Sequence, residues 1–300
     1  MTLKAASETI AVAEIGGTSV KIGFADHGVP LEVTRTFSTS NLRRGAPAAQ
    51  LARLLQCASV DADLTIDRVV ATVPGFIGRD CDTIIHAANV PELNGVHLAS
   101  ELASTLSVPV QLERDVVLQL LGESACGAIA NECEVLAVYF GTGIGAAYLG
   151  ENGIFRGGGW ALEIGHMPVL EPGDRQEFPK RIEAYASGAT LVDLASAHGV
   201  AVKDLFQAAA QSPELCDALD DILWQQAITV ARATVLFSPR IVLLGGGVID
   251  MDGYPRHTLT QRIVGALPHS GSIHSIDIRW ATLGWQAAIF GAVRLGDMAA

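Results

Sequence analysis

Two short glycine and threonine runs are where this sequence first suggests chemistry: Gly16-Gly17-Thr18 and Gly141-Thr142-Gly143. Each closes a β-rich run, Ile10 to Ala13 leading through Glu14-Ile15 in the first case and Val135 to Phe140 in the second. A glycine turn between paired strands can offer several backbone N–H groups to one anion, because no Cβ blocks the approach, and a threonine hydroxyl adds a donor. Either turn alone reads as an ordinary hairpin turn. Their recurrence, one in each half of the chain, points to a grip on a polyphosphate. The GxxxxGK[ST] pattern is absent, so the P-loop nucleotide hydrolases are not the template.

Asp115 stands where a strand meets a helix, and it has two readings. A helix N-cap is the commonest reason for an aspartate at such a place. The other reading is a general base that takes the proton of an attacking hydroxyl, as phosphoryl transfer to an alcohol requires. The two are compatible, since the positive end of a helix favours an ionised carboxylate. Glu163-Ile164-Gly165-His166 follows the loop Gly157-Gly158-Gly159, and Glu183 follows the polar stretch Pro172 to Arg181. Carboxylates and an imidazole suit the hydroxyls of a sugar, although each alone reads as a surface charge and His166 as a core histidine. Gly245-Gly246-Gly247 reads equally as a structural turn or as a place where a flat base lies against the backbone.

The elements that must position these residues alternate in type. Ser19 to Ala25 and Leu31 to Phe37 extend the first strand into a meander, Ala48 to Ala58 has apolar residues at helical spacing, and Arg68 to Val73 is a strand. Leu98 to Leu106 reads as a helix, Pro109 to Glu113 as a strand and Asp115 to Cys126 as a helix. At Val135 the strand, glycine turn and strand return, which marks an internal repeat. Helices then follow over Ala189 to His198, Val202 to Gln211 and Glu214 to Phe237, before a strand at Ile241 to Leu244. The alternation implies an α/β layer architecture.

Composition narrows the classes. The chain has 300 residues, 49% of them hydrophobic, with a net charge of −12 and a pI near 5.0, which opposes a phosphate-neutralising surface for nucleic acid. Cys57, Cys81, Cys126, Cys133 and Cys216 are scattered with no CxxC pair, which suits a reducing cytoplasm. The longest apolar stretch, Val135 to Gly150, is broken by glycines and falls short of the ~20 residues of a spanning helix, so no membrane partner is expected. Glu8 and Glu14 interrupt any signal-peptide core.

Taken in order, EIGGTSVKIG, VPGFI, AANVPELNGV, RDVVLQL, YFGTGIGAAYLGENG, ALEIGHMPV, RIEAYASGATL and IVLLGGGVI resemble the ROK family of bacterial sugar kinases and sugar-responsive repressors. The resemblance runs from Ile10 to about Arg294. It implies a two-lobed actin-like, ribonuclease H-like ATPase fold with a duplicated β-hairpin and α/β core around a central cleft. The lobes are expected over 1–114 with about 285–300, and over 115–284. RDVVLQL and GGGVIDMDGYPRHTL are most similar to the D-allose kinase branch.

By this resemblance Asp115 is the catalytic base, and Asn89, Arg114, Glu163, His166 and Glu183 contact the sugar. Gly16, Gly17, Thr18, Lys21, Gly141, Thr142, Gly143, Gly246 and Gly247 line the site for ATP, with Glu14 toward Mg²⁺. The implied reaction phosphorylates the 6-hydroxyl of a hexose, with sugar-driven closure that excludes water. Glucose, fructose and N-acetylmannosamine are alternative substrates. Three departures stand out. Glu14 replaces an aspartate, Arg114 replaces a sugar-binding asparagine, and 171–182 lacks the cysteines of the family's zinc loop, so no zinc is expected. Glu14 and Arg114 also fit a catalytically weakened sugar-binding protein. A repressor would carry an N-terminal helix-turn-helix, for which the strand starting by Ile10 leaves no room. The sugar set argues against an actin-like or chaperone-type ATPase. Related kinases are often homodimers, and assembly is left open.

Overall fold

The structure is a computed structural model that describes residues 8–73, 75–87, 89–170, 175, 178–268 and 276–299. The chain divides into two compact units. One comprises Met1–Asn131, Arg156–Ala161 and Thr282–Ala300, the other Glu132–Phe155 and Leu162–Ala281.

In the first unit, β1 (Thr9–Ile15), β2 (Ser19–Asp26) and β3 (Val29–Ser38) form an antiparallel meander. The chain then runs through α1 (Pro47–Asp61), β4 (Arg68–Thr72), the short pair β5 (Phe76–Ile77) and β6 (Ile84–His86), α2 (Leu98–Leu106), β7 (Val110–Glu113) and α3 (Asp115–Cys126). The sheet order is β3-β2-β1-β4-β7, with β1, β4 and β7 parallel. α1 forms because Pro47 presets its first turn and Ala48, Leu51, Ala52, Leu55 and Ala58 fall on one buried stripe. Every residue of β1 is buried except Glu14, which is half-buried.

The second unit repeats the plan. β8 (Val135–Phe140), β9 (Ile144–Gly150) and β10 (Gly153–Ile154) form a meander, followed by α4 (Glu183–Ala186), α5 (Gly188–Ala197), α6 (Leu205–Ala209) and α7 (Pro213–Phe237). β11 (Ile241–Gly245), α8 (Arg256–Ala266) and β12 (Asp277–Trp280) complete it, in the order β10-β9-β8-β11-β12, with β8, β11 and β12 parallel. Antiparallel meander plus two parallel strands, twice over, is the duplicated core that the sequence implies.

α9 (Gln286–Ala299) belongs to the first unit and packs along α3. Gly122 and Gly291 make that packing close: a Cβ on either would overlap the carbonyl oxygen of Ala287 or Leu118. The sequence reading changes unit at 114/115 and near 284/285, whereas this division falls at 131/132 and 281/282. The difference arises because α3 is held by α9. No described helix is long and apolar enough to cross a membrane.

Candidate functional site

The first glycine turn is held by its carbonyls. Gly16 N–H closes the turn on Ser19 O (2.8 Å), while Thr39 Oγ1 donates to Gly16 O (2.7 Å) and Thr39 N–H to Thr18 O (3.0 Å). In a planar trans peptide the C=O and the following N–H point opposite ways. Tying Gly16 O back to Thr39 therefore turns the Gly17 N–H outward, where Gly17 and Thr18 are exposed. Asn89 lies against this turn, since a Cβ on Gly17 would come 2.9 Å from its Cβ.

Beside the turn stand two carboxylates. Burial raises the Glu14 carboxyl above the usual range, the charge of Asp115 adds to the rise, and Lys21 opposes it. Lys21 is the cross-strand partner of Glu14, and its ammonium lies 4.7 Å from the centre of the Trp285 ring, a cation–π distance. Thr72 is in register with Glu14 on the neighbouring strand and keeps a buried hydroxyl without a hydrogen-bond partner among the described residues.

Asp115 is not the N-cap. Arg114 holds that position, and Asp115 is the first helical residue, with Oδ1 accepting from Val116 N–H at 2.8 Å. Desolvation raises its pKa, and the Val116 bond and Arg114 oppose the rise only in part. Asp115 is nevertheless exposed to water while ringed by protein.

Two like-charged carboxylates and an orphaned hydroxyl fit a hard dication, which takes oxygen ligands and retains much of its water. Glu14 is thus the residue that could hold Mg²⁺ with a bound polyphosphate, with the charge of Asp115 nearby. Among the described residues no group of three or more His, Cys, Asp or Glu forms a metal cage. Half of the stretch 171–182, on which the expectation of no zinc rests, lies outside the described residues.

The strand before Asp115 ends in a charge pair that sequence reading missed. Glu113, 3% exposed, accepts from Arg156 Nη1 (3.1 Å) and Nη2 (2.5 Å) and from the Arg114 N–H (2.9 Å). Arg114 Nη1 donates to Ala161 O at 2.6 Å, and Arg79 Nε to Gly158 O at 3.2 Å. Arg114, expected at the sugar, therefore also ties down the glycine-rich segment Arg156–Ala161. Glu123, fully buried, pins the entry to α9 by accepting from the N–H groups of Thr282 (2.6 Å) and Leu283 (2.8 Å).

In the second unit the glycine turn is held in the same way by different donors. Gly188 N–H and Ala189 N–H, at the start of α5, donate to Gly141 O (2.8 Å) and Thr142 O (3.1 Å). The same peptide geometry turns the Thr142 and Gly143 N–H groups outward. Glu183 sits against this turn and the Glu163 to His166 segment together: Cβ atoms on Gly143 and Gly165 would come 3.2 and 3.3 Å from its Oε2. His166 Nδ1 lies 2.6 Å from Arg181 Nη1 and 3.6 Å from Glu183 Oε1. Glu163 immediately precedes the 3-10 turn Ile164–His166.

Gly246 belongs to the same neighbourhood. Its φ of +100° suits glycine, a Cβ there would overlap Phe140 O, and Val248 N–H donates to that same oxygen at 3.0 Å. Gly141 and Gly247 differ from it, because a Cβ on either meets nothing within 4 Å. Packing does not require glycine at those two positions. Gln226 of α7, 1% exposed, fixes α4 by donating to Ala186 O (2.9 Å) and accepting from Tyr254 OH (2.6 Å).

Each unit joins a meander, a glycine turn with its carbonyls tied back, and parallel strands flanked by helices, which defines the actin-like ATPase fold. The ROK family model matches residues 9–298, and the chain belongs to the ROK family. It is similar to a glucokinase of Halalkalibacterium halodurans, 28% identical over 241 residues, covering 73% of this chain and 72% of that protein. It is also similar to the N-acetylgalactosamine kinase AgaK of Shewanella sp. (strain ANA-3), 26% identical over 310 residues, covering 94% and 95%. Among solved structures, a ROK family glucokinase from Streptomyces griseus in complex with glucose and AMPPNP matches with a TM-score of 0.81 at 24% identity, covering 96% of this chain and 98% of that one. That likeness concerns the fold.

Proposed function

We propose that this protein transfers the γ-phosphoryl group of ATP to the 6-hydroxyl of a hexose, with Asp115 as general base. The observation that carries the reading is the coupling of Asp115 to Glu14 beside a turn whose Gly17 amide faces outward. Membership of a family with sugar-kinase relatives supports it.

The sugar O6 forms its bond to the γ-phosphorus as the bond to the bridging oxygen of ADP breaks, and the O6 proton passes to the Asp115 carboxylate. In its ionised form that carboxylate is a better proton acceptor for its raised pKa. The amides of Gly17, Thr142 and Gly143 suit phosphate oxygens, with Gly16, Thr18, Lys21, Gly141, Gly246 and Gly247 completing the proposed nucleotide contacts. Mg²⁺, bound with the phosphates near Glu14, would supply positive charge for the leaving oxygen. Asn89, Arg114, Glu163, His166 and Glu183 are the proposed sugar contacts.

D-allose is the first substrate to try, because of the sequence likeness around RDVVLQL. Other hexoses and N-acetylhexosamines are the alternatives, since epimers differ by one hydroxyl and discrimination rests on hydrogen-bond geometry. Glu14 and Arg114 favour a second reading, a sugar-binding protein with weakened catalysis. Incubation with Mg-ATP and each sugar, with phosphorus NMR of the product, separates these. A 6-phosphate is expected, whereas sugar binding without any phosphorylated product would establish the second reading.

A further inference from the structure

Residues on either side of the stretch 170–179 pair as a short antiparallel ladder. Val169 N–H donates to Lys180 O (2.8 Å), Ile182 N–H donates to Met167 O (3.0 Å), and Pro168 faces Arg181. The ladder places Arg181 beside His166, with Nη1 at 2.6 Å from Nδ1. A guanidinium offers only N–H donors and stays charged, so the imidazole nitrogen facing it must accept. In that arrangement Nδ1 carries no proton and the ring N–H sits on Nε2.

A second charged group faces the same nitrogen. Glu183 Oε1 is 3.6 Å from Nδ1, and a carboxylate there favours an N–H on Nδ1. The two compete for one atom, and Arg181 is the one within hydrogen-bond distance. We infer that Arg181 is a positioning residue that sets the tautomer of His166, so that Nε2–H donates to a sugar oxygen and Glu183 remains an acceptor for the sugar proton. A hydroxyl donates and accepts at once, so a donor and an acceptor held in this way recognise it at both ends. The sugar role rests on the proposed function; the tautomer does not.

The test uses the full chain, ¹⁵N-labelled and without ligand, at about pH 8, where an imidazole is neutral. Long-range proton–nitrogen spectra should show His166 as the Nε2–H tautomer. Arg181→Met, which keeps the length and removes the donors, should shift it toward Nδ1–H, and Arg181→Lys should restore it. With the sugar that proves active, Arg181→Met should raise KM about fivefold to tenfold, the worth of one hydrogen bond, with kcat within about twofold. An Nδ1–H ring in the native protein, or an unchanged tautomer in Arg181→Met, overturns the inference, as does a shifted tautomer with unchanged KM. If the tautomer behaves as stated and no sugar is phosphorylated, it is the kinase reading that fails.

Discussion

Asp115 and Glu14 carry like charges in one unit, and desolvation by the surrounding protein raises the pKa of both. For Asp115 the consequence is kinetic. Activity needs its ionised form, so kcat should fall as pH drops through a value above that of an ordinary aspartate, and the acid limb should vanish with the base. Asp115→Asn should lower kcat by about 10²- to 10⁴-fold, the range of general-base catalysis, with a smaller change in sugar KM. Near-native turnover would remove Asp115 from the chemistry. For Glu14 the consequence is thermodynamic. A carboxyl whose folded pKa is raised contributes stability below its unfolded pKa, and that contribution is lost as pH rises through the folded pKa. At neutral pH the ionised side chain therefore costs stability, and Glu14→Gln should raise the melting temperature of the ligand-free protein while cutting phosphoryl transfer at least about tenfold. A lowered melting temperature would mean that the charge is already compensated. Gly141→Ala and Gly247→Ala should leave the melting temperature unchanged and weaken nucleotide binding, which calorimetry with an ATP analogue would measure.

The elements explain why these side chains stand where they do. α3 carries Asp115 at its first position, and its glycine-mediated contact with α9 fixes the helix; Gly291→Ala should cost about 1–3 kcal/mol in denaturant unfolding through overpacking. Gln226→Ala leaves Tyr254 OH and Ala186 O unpaired, which should cost about 1–3 kcal/mol per orphaned group and raise sugar KM through movement of the helix bearing Glu183. Much of this scaffold is legible in the sequence. The β-branched runs at β1 and β8, the glycine turns after them and the spacing in α1, α3 and α7 are local signals. β5 and β6 are two and three residues long and show no period. α8 buries only Leu259 and Ile263 and so lacks a strong stripe. The supports of the site, Thr39, Glu113 with Arg156, Gln226 with Tyr254, and Glu123, are illegible for another reason. Their partners lie 23 to 160 residues away, and a single polar residue in a sequence does not name its partner.

At the scale of the whole molecule, the duplicated plan repeats a principle rather than a set of residues. One turn is braced by Thr39 and the other by the start of α5, and in both the brace is on the carbonyls, so that amides face outward. An acidic chain with a net charge of −12 gains little from general attraction to ATP, and binding must rest on such local donors. Mg-ATP and hexose together should therefore raise the melting temperature with a modest dependence on salt. The proposed function joins sugar and nucleotide chemistry through Asp115. Steady-state ADP release from Mg-ATP, measured across aldohexoses, ketohexoses and N-acetylhexosamines with native protein and Asp115→Asn in parallel, tests it most directly. At least one hexose should strongly stimulate ADP release, and the substitution should abolish the stimulation; release that no sugar accelerates would contradict a sugar-kinase role for Asp115.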